Sequence, residues 1–500
     1  MKLNILLRAL DKSALEHRVY IPHGVSADDI ELSDLVCDSR KAGKGVIFAA
    51  TKGGHIDAHD FIAKAAEAGA PAVLCERASE VEIPQIICPD VRAAMGYVAS
   101  VLYGEPSKKM TMIALTGTNG KTTSTFMTQD IMNAAGIKCG LIGTIQYDDG
   151  SEIEEAEHTT PEGCDIQRLL ARMAANGCGA CVMEASSHSI VQGRINGLSY
   201  DRAGFTNLTP EHLDFHGDME HYFAAKKKLF DSYMKNNWKA CINVDDEYGR
   251  RLSKETGRRA VTYSVADEGA DFFAAVKGIT ADGLELDVKT PESQKKVRAK
   301  LPLFGTYNVS NALQALSLTW SLGVSANTAL TALAGMRQVP GRLERYRMDN
   351  GIYCVIDFAH TDDGMEKALS AVRPICKGKL IVVFGAGGDR DRAKRPRRGE
   401  VASRIGDFVV VTSDNPRSED PCAIMADIEP GVKKHDTPYV MIPDRRSAIY
   451  DALDRAKEND IVVVAGRGPE THQILKDGPI KLVDKEIMAD WCALRGRKVI

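Results

Sequence analysis

The sequence predicts an α/β protein of three domains. At 500 residues the chain exceeds the roughly 250–300 residues at which a single core stops growing. Short apolar runs of strand length alternate with helix-like stretches along nearly the whole chain, the pattern of parallel sheets covered by helices. Several of those runs end in glycine-rich or polar turns, where open α/β sheets bind ligands.

The first domain is expected over residues 1–108. Its strands are "GVIFAAT", "PAVLCE" and "PQIICPD", with helical character in "AHDFIAKAAEAGA". The segment "YGEPSKK", Tyr103–Lys109, carries Gly, Pro and charge and reads as a linker. A second domain, 109–337, opens with "MTMIALTG" and continues through the strands "ACVMEAS", "RAGFTNL" and "KACINVDD". Alternating β-structure is expected over 270–303, then two helices in "NVSNALQALSLTWSLG" and "SANTALTALAGM". The third domain, 338–500, has the strands "YCVIDFA", "KLIVVFGAG", "DFVVVTSDN" and "DIVVVAGRG". There is no internal repeat and no low-complexity tract.

Composition narrows the class. Hydrophobic residues make up 44% and charged residues 26%, ordinary values for a soluble globular chain. A net charge of −4 argues against nucleic-acid binding, which needs a basic surface, but is compatible with small anionic substrates. The twelve cysteines are scattered singly except for Cys178 and Cys181, which have no second pair at zinc spacing. Small residues entering a buried strand explain that pair better than a metal or redox site. Neither a charged-then-apolar leader nor an apolar run of about 18 residues is present. The expectation is a cytoplasmic protein with reduced thiols and no membrane insertion.

The strongest local signal is "IALTGTNGKTTS", residues 113–124. An apolar strand runs into Gly117, Thr118, Asn119 and Gly120, and Lys121, Thr122 and Thr123 open a helix. Glycines let backbone N–H groups converge on phosphate oxygens, and the helix N-terminus adds partial positive charge. Lys121 supplies a cation for the β- and γ-phosphates, and the Thr122 hydroxyl can ligate Mg²⁺. The strict P-loop pattern wants glycine where this chain has Leu115. The run T-G-T-N-G-K-T-T instead resembles the phosphate loop of the Mur ligases and the related folylpolyglutamate synthases. Both activate a carboxylate as an acyl phosphate for attack by an amine, and the resemblance extends over nearly the whole chain. It implies an N-terminal UDP-binding α/β domain, a central P-loop ATPase-like parallel sheet and a C-terminal Rossmann-like domain.

Three further positions bear on the chemistry. Glu184 ends the strand in "VMEASSH", and His212 with Asp214 follows a strand in "FTNLTPEHLDFHG". Taken alone, they are equally a strand-end acid and a capping residue; the family resemblance implies that Glu184 and His212 ligate Mg²⁺. In "HYFAAKKKLF" the bland reading of Lys226, Lys227 and Lys228 is a solvated basic face. The family pattern A-K-x-x-L-F matches Lys226 to a lysine carbamylated by CO₂, whose product anion can ligate a second Mg²⁺. Carbamylation needs a neutral amine, which burial near cations favours. Lys227 and Lys228 are left as solvated.

By the same resemblance ATP is gripped by Asn308 and Asn311 in "GTYNVSNA", by Arg342 in "PGRLE", and by Asp357 and His360 in "DFAHTDDGM". Arg342 and Asp357 are implied to reach the nucleotide across the domain junction. Phe358 and Asp362 replace the family's usual Tyr and Pro. "VCDSRKAGKGVIFAATKGGHIDAHDFI" resembles the uridine-binding signature, with Ser39 next to the uridine and Gly54, His55 and Ile56 in the following loop. His158, Thr159 and Thr160 in "HTTPE", and Ser186, Gln192 and Arg194 in "SSHSIVQGR", match residues that hold pyrophosphate, sugar and peptide. His158 stands where relatives often have Asn.

The added amino acid is read from the last domain. "VFGAGGDRDRAKRP" supplies Arg390; the rest of 390–398 is expected to be solvated or salt-bridged. "TSDNPRSEDP" supplies Asp414, Asn415, Pro416 and Arg417. D-N-P-R resembles the signature of the meso-diaminopimelate-adding members. A forked guanidinium can hold a distal carboxylate bidentately, and lysine, lacking that group, would leave Arg417 unpaired. Gly466 and Glu470 in "AGRGPETHQ" match residues that hold the distal ammonium, but Arg467 and Pro469 depart from the family's G-K-G-H-E.

The resemblance therefore implies a monomeric ATP-dependent ligase acting on a UDP-muramoyl dipeptide in bacterial cell-wall synthesis. L-lysine or another diamino acid is an alternative acceptor. A folylpolyglutamate-type ligase should lack the Ser39 motif, and a catalytically weakened nucleotide-binding regulator should bind ATP without releasing phosphate.

Overall fold

The computed structural model describes residues 1–13, 15–53, 56–280 and 282–500, apart from the side chain of Gln294. Gly54 and His55 of the expected uridine loop lie outside the described residues. The chain divides into two compact units. One comprises Met1–Ala274, Lys289–Lys295 and Ser310–Ala332; the other comprises Ala275–Val288, Lys296–Val309 and Leu333–Ile500. Among the described residues no helix is long and apolar enough to cross a membrane.

The first unit holds a five-stranded sheet in the order Arg18–Tyr20, Gln85–Ile87, Val73–Cys75, Val46–Ala49, Asp34–Val36. Only its first pair is antiparallel. Leu3, Leu6 and Leu10 of the opening helix are buried, with three- and four-residue spacing that puts them on one face. This sheet is tied to the next by Arg168, whose guanidinium bonds the Asp34 carboxylate and the Leu35 carbonyl at 2.8 Å each.

The same unit carries the parallel strands of the central sheet. Thr111–Thr116 lies in the middle, flanked by Ala180–Glu184 on one side and Tyr200–Phe205 on the other, all parallel. Met234–Asn243 and Ala260–Ser264 continue past Tyr200–Phe205, and Cys139–Ile142 lies beyond Ala180–Glu184. Burial on both faces explains why these strands read as continuous apolar runs. Two short strands, Gln146–Asp148 and Ile153–Glu155, add an antiparallel edge that the sequence pattern does not signal. Phe272–Thr280, Gly283–Thr290 and Ser293–Leu301 extend the opposite edge, matching the expected β-structure there.

The second unit is built on a six-stranded sheet in the order Glu344–Arg347, Tyr353–Asp357, Ile461–Ala465, Leu380–Phe384, Phe408–Val411, Tyr439–Met441. All neighbours are parallel except the first pair. Alternate residues serve two cores. Val355, Val382, Val409 and Val463 face one, while Ile356, Val383, Val410 and Val464 face the other. The four central strands end at Asp357, Ala465, Phe384 and Val411, so their carboxyl-end loops gather at one edge.

Candidate active site

Parallel pairing about Thr111–Thr116 aligns Leu115 with Glu184 and Thr116 with Phe205. The phosphate loop therefore emerges between the strand that ends in Glu184 and the strand that leads to Thr206. Gly117 has φ +141°, and a Cβ there would collide with the Thr206 hydroxyl; Gly120 has φ +88° and abuts the Asn311 side chain. Only glycine fits both the conformation and the contact. The loop is pinned to the segment after Phe205: the Thr118 N–H donates to the Asn207 carbonyl at 2.8 Å, and the Asn119 N–H to Asn207 Oδ1 at 3.0 Å. Lys121 begins the helix Lys121–Ala134, and its amine donates to the carbonyls of Gly117 and Thr118 at 3.0 and 2.9 Å.

Glu184 is almost fully buried. Its Oε2 accepts from the hydroxyls of Thr122 and Thr144, both at 3.1 Å, and its Oε1 from the Thr144 N–H at 2.8 Å. The Thr144 hydroxyl also reaches Thr159 Oγ1 at 3.1 Å. Thr160 Oγ1 donates to the Glu184 carbonyl at 2.8 Å, and the Thr160 carbonyl accepts from Arg194 at 2.9 Å. Ser186 caps the helix Ser187–Val191 through the Ser189 N–H. Thr122, Thr159, Thr160, Glu184, Ser186 and Arg194 therefore form one connected cluster.

Lys226, on the helix Met219–Ser232, is 1% exposed. Its amine donates to the Gly117 carbonyl at 2.8 Å and lies 4.5 Å above the Tyr222 ring. Among the described residues no carboxylate forms an ion pair with it. Burial, reinforced by the positive charge of Lys121, holds its pKa well below the usual lysine value. Lys227, one residue on, stays partly exposed and pairs at the surface with Asp231 and Glu255 at 2.8 and 3.3 Å. Lys228 is exposed.

His212 has φ 56°, in the left-handed region, and its ring centroid lies 4.8 Å from that of His188. Burial lowers the pKa of His212, and the charges of Lys226 and Lys121 act in the same sense. A neutral imidazole can serve as a metal ligand. Among the described residues no three His, Cys, Asp or Glu side chains are gathered for a metal ion. The donors near the loop are one carboxylate, one imidazole and the Thr122 hydroxyl. Oxygen-rich and incomplete, that set fits Mg²⁺, which keeps waters and shares substrate phosphates.

The remaining N-terminal positions are more dispersed. Ser39 opens a short 3₁₀ turn capped by Asp38, and Ile56 is 63% exposed. His158 is exposed, its backbone N–H and carbonyl both engaging the Tyr147 hydroxyl. Gln192 lines a cleft of about 360 Å³ with Lys52, Glu76, Pro89, Asp90 and Arg92. Thr144, Asn207 and His188 were not singled out by sequence. The glycine–threonine step after Cys139–Ile142 and the polar pair Thr206–Asn207 after Phe205 are the signals that point to the first two.

In the second unit Asp357 accepts the Leu343 and Ala359 N–H groups at 2.7 and 2.9 Å, and burial raises its pKa. The Arg342 guanidinium stacks 5.0 Å from the Phe358 ring centroid, and the His360 ring lies 4.7 Å from the same ring. Asn308 bonds the Phe304 carbonyl at 2.6 Å.

The D-N-P-R segment follows the strand Phe408–Val411. Arg417 has φ 53° and donates to the Gly388 carbonyl at 2.9 Å. Arg417 and Arg390 both border Gly387. Pro416 is buried. Asn415 donates through Nδ2 to Glu470 at 2.7 Å and accepts the Ile474 N–H at 2.9 Å. Asp414 is buried, and among the described residues its Oδ2 has no hydrogen-bond partner. Gly466 lies against that oxygen. Arg390, Asp414, Asn415, Pro416, Arg417, Gly466 and Glu470 are thus neighbours. In the rest of 390–398, Arg392 and Arg395 are salt-bridged to Asp427, and Arg395 also to Glu419.

Residues 31–102 match the model for the Mur ligase family catalytic domain, 115–319 the Mur ligase middle domain, and 341–468 the Mur ligase glutamate ligase domain. The chain belongs to the Mur ligase family. It is 40% identical over 468 residues to a UDP-N-acetylmuramoyl-L-alanyl-D-glutamate–2,6-diaminopimelate ligase of Clostridium acetobutylicum, covering 93% of this chain and 95% of the relative. It is 42% identical over 462 residues to the enzyme of that name from Gloeobacter violaceus, covering 92% and 93%. A solved structure of a ligase of that name aligns with TM-score 0.68 and 31% identity over 95% of this chain and 98% of the other. The MurF ligase of Thermotoga maritima, solved with ADP, shares the fold at TM-score 0.66 and 19% identity, over 93% and 98%.

Proposed function

We propose that this Mur ligase joins meso-diaminopimelate to the D-glutamyl residue of UDP-N-acetylmuramoyl-L-alanyl-D-glutamate, at the expense of ATP, in peptidoglycan synthesis. As a supplier of cell-wall precursor it would serve cell shape and division from the cytoplasm. The observation that carries the acceptor assignment is the pairing of charges around Asn415. Its carbonyl and side chain join the Arg417 guanidinium to the Glu470 carboxylate, with Asp414 adjacent. A guanidinium next to two carboxylates complements a zwitterionic amino-acid head, which L-lysine lacks at its distal end.

The loop amides and Lys121 stabilise charge as the γ-phosphoryl passes to the D-glutamyl side-chain carboxylate. The amine of the incoming amino acid attacks the acyl phosphate, phosphate leaves, and an amide forms. Mg²⁺ held by Thr122, Glu184 and His212 would supply charge neutralisation for the phosphates. Lys226 is the lysine we assign to carbamylation: its neutral amine adds CO₂ and releases a proton, leaving beside Lys121 an anion that can serve as a further metal ligand. Asn308, Arg342, Asp357 and His360 are assigned to the nucleotide, and the cleft at Gln192 with Ser39 to the UDP-sugar.

The test offers ATP, Mg²⁺ and the UDP-muramoyl dipeptide with meso-diaminopimelate, L-lysine or L-ornithine separately. Phosphate release with diaminopimelate is expected, and ¹⁸O from the acceptor carboxylate should appear in the phosphate. Turnover with lysine alone would overturn the assignment.

A further inference from the structure

Arg467 and Pro469 are where this chain leaves the family's G-K-G-H-E, and both are built into the fold. Arg467 has no exposed side-chain surface. Its Nη2 donates to the Leu482 carbonyl at 2.8 Å, and its Nε lies 3.4 Å from Glu470 Oε2, the oxygen that also accepts from Asn415. Pro469 packs on Gly341, and Gly468 on Phe358. The Gly466 N–H donates to the Asp357 carbonyl at 3.1 Å. The loop is fixed along its length, so the direction of Glu470 is set by the groups beside it.

Those groups come from four places. Arg467 is on the same loop; Asp414 is on the D-N-P-R segment; Arg445 opens the helix Arg445–Arg455; Asp484 opens the helix Asp484–Leu494. Arg445 is fully buried and bidentate to Asp484 at 2.8 and 2.7 Å, so its charge is already matched. Arg467 is left to balance Glu470 and Asp414, which repel each other. Arg467 opposes the repulsion between Glu470 and Asp414, and an ammonium seated between the two carboxylates would add positive charge there.

We infer that Arg467 is a positioning and specificity residue: it supplies the fixed positive charge that orients the Glu470 carboxylate for the distal ammonium of the incoming diamino acid. This rests on the assignment of Glu470 to the amino-acid site. Burial raises the Glu470 pKa, while the Asn415 hydrogen bond and Arg467 oppose that rise. Removing the Arg467 charge therefore extends protonated Glu470 towards neutral pH, where it no longer attracts an ammonium.

The experiment measures kcat/KM for meso-diaminopimelate across pH, with ATP and UDP-muramoyl dipeptide saturating. An acid limb is expected in the unaltered protein and should vanish in Glu470→Gln. Arg467→Gln should move the limb upward by about one pH unit, so that on the acid side of both limbs the diaminopimelate KM rises about tenfold while kcat and the KM for ATP stay the same. Arg467→Lys keeps the charge but not the fork, and should keep the limb in place. An unmoved limb in Arg467→Gln, or an acid limb that survives in Glu470→Gln, overturns the inference. If Arg467→Gln does not fold, Arg467→Lys decides: a limb that moves with lysine in place overturns it, and one that stays supports it. An unaltered protein that releases no phosphate with diaminopimelate removes the amino-acid assignment itself, a separate outcome.

Discussion

At the residue scale the chemistry converges on Lys226 and Glu184. A lysine buried against a carbonyl and a ring is a cost to folding, which the proposed carbamylation would account for. Lys226→Met should abolish turnover yet raise thermal stability near neutral pH. The sign follows from proton binding: the unfolded chain holds a proton on this lysine up to about pH 10.5 while the folded one resists it, so wild-type stability rises with pH across that interval. The advantage of the methionine variant should shrink as pH approaches that value; a constant difference in melting temperature would contradict it. Thr144→Val removes one hydroxyl from Glu184 and the link to Thr159. By the usual effect of losing a ligand's supporting hydrogen bond, it should raise the Mg²⁺ concentration needed for half-maximal activity about 10–100-fold. Glu184 and Lys226 could be singled out in the sequence because each sits in a run that resembles a family motif. Thr144 was not: one threonine in a turn carries no spacing, and its role comes from a pairing between strands far apart in sequence.

At the element scale the phosphate loop and the buried arginine pair make separate predictions. Gly117→Ala puts a Cβ into the Thr206 hydroxyl at a φ that alanine resists, so nucleotide binding measured by calorimetry should fall below detection. Arg445→Met strands Asp484 in the interior. Breaking a buried pair costs about 3–5 kcal/mol, which denaturant unfolding of the second unit should register. Strands such as "IVVVA" were readable because both faces are covered and every position is apolar. Gln146–Asp148 and Ile153–Glu155 were not, being three residues each and largely polar or exposed. Short edge strands obey their partner more than their own composition.

At the scale of the whole molecule, two compact units should show as more than one calorimetric transition. The five-stranded sheet shares a unit with the central strands through Arg168 and through Gly96, which packs against the Asn196 backbone. Arg168→Met should lower one transition and leave the other where it is; movement of both would argue for a single cooperative block. Length and strand alternation made the three larger sheets visible from sequence. The grouping of the first with the central sheet was not, because it depends on scattered contacts, such as those of Arg168, Gly96, Ser100 and Asn196, that look ordinary in a string of letters.

The stitching around Asn415 has a consequence for redesign. Arg417 N–H bonds the Ile474 carbonyl, Asn415 accepts the Ile474 N–H, and Gln473 donates to the Asp414 carbonyl. The four-letter motif and the stretch around residue 474, some sixty positions downstream, are therefore joined as two halves of the proposed amino-acid site. Grafting either half alone into a lysine-adding homologue should leave its preference unchanged, and only a paired transplant should convert it.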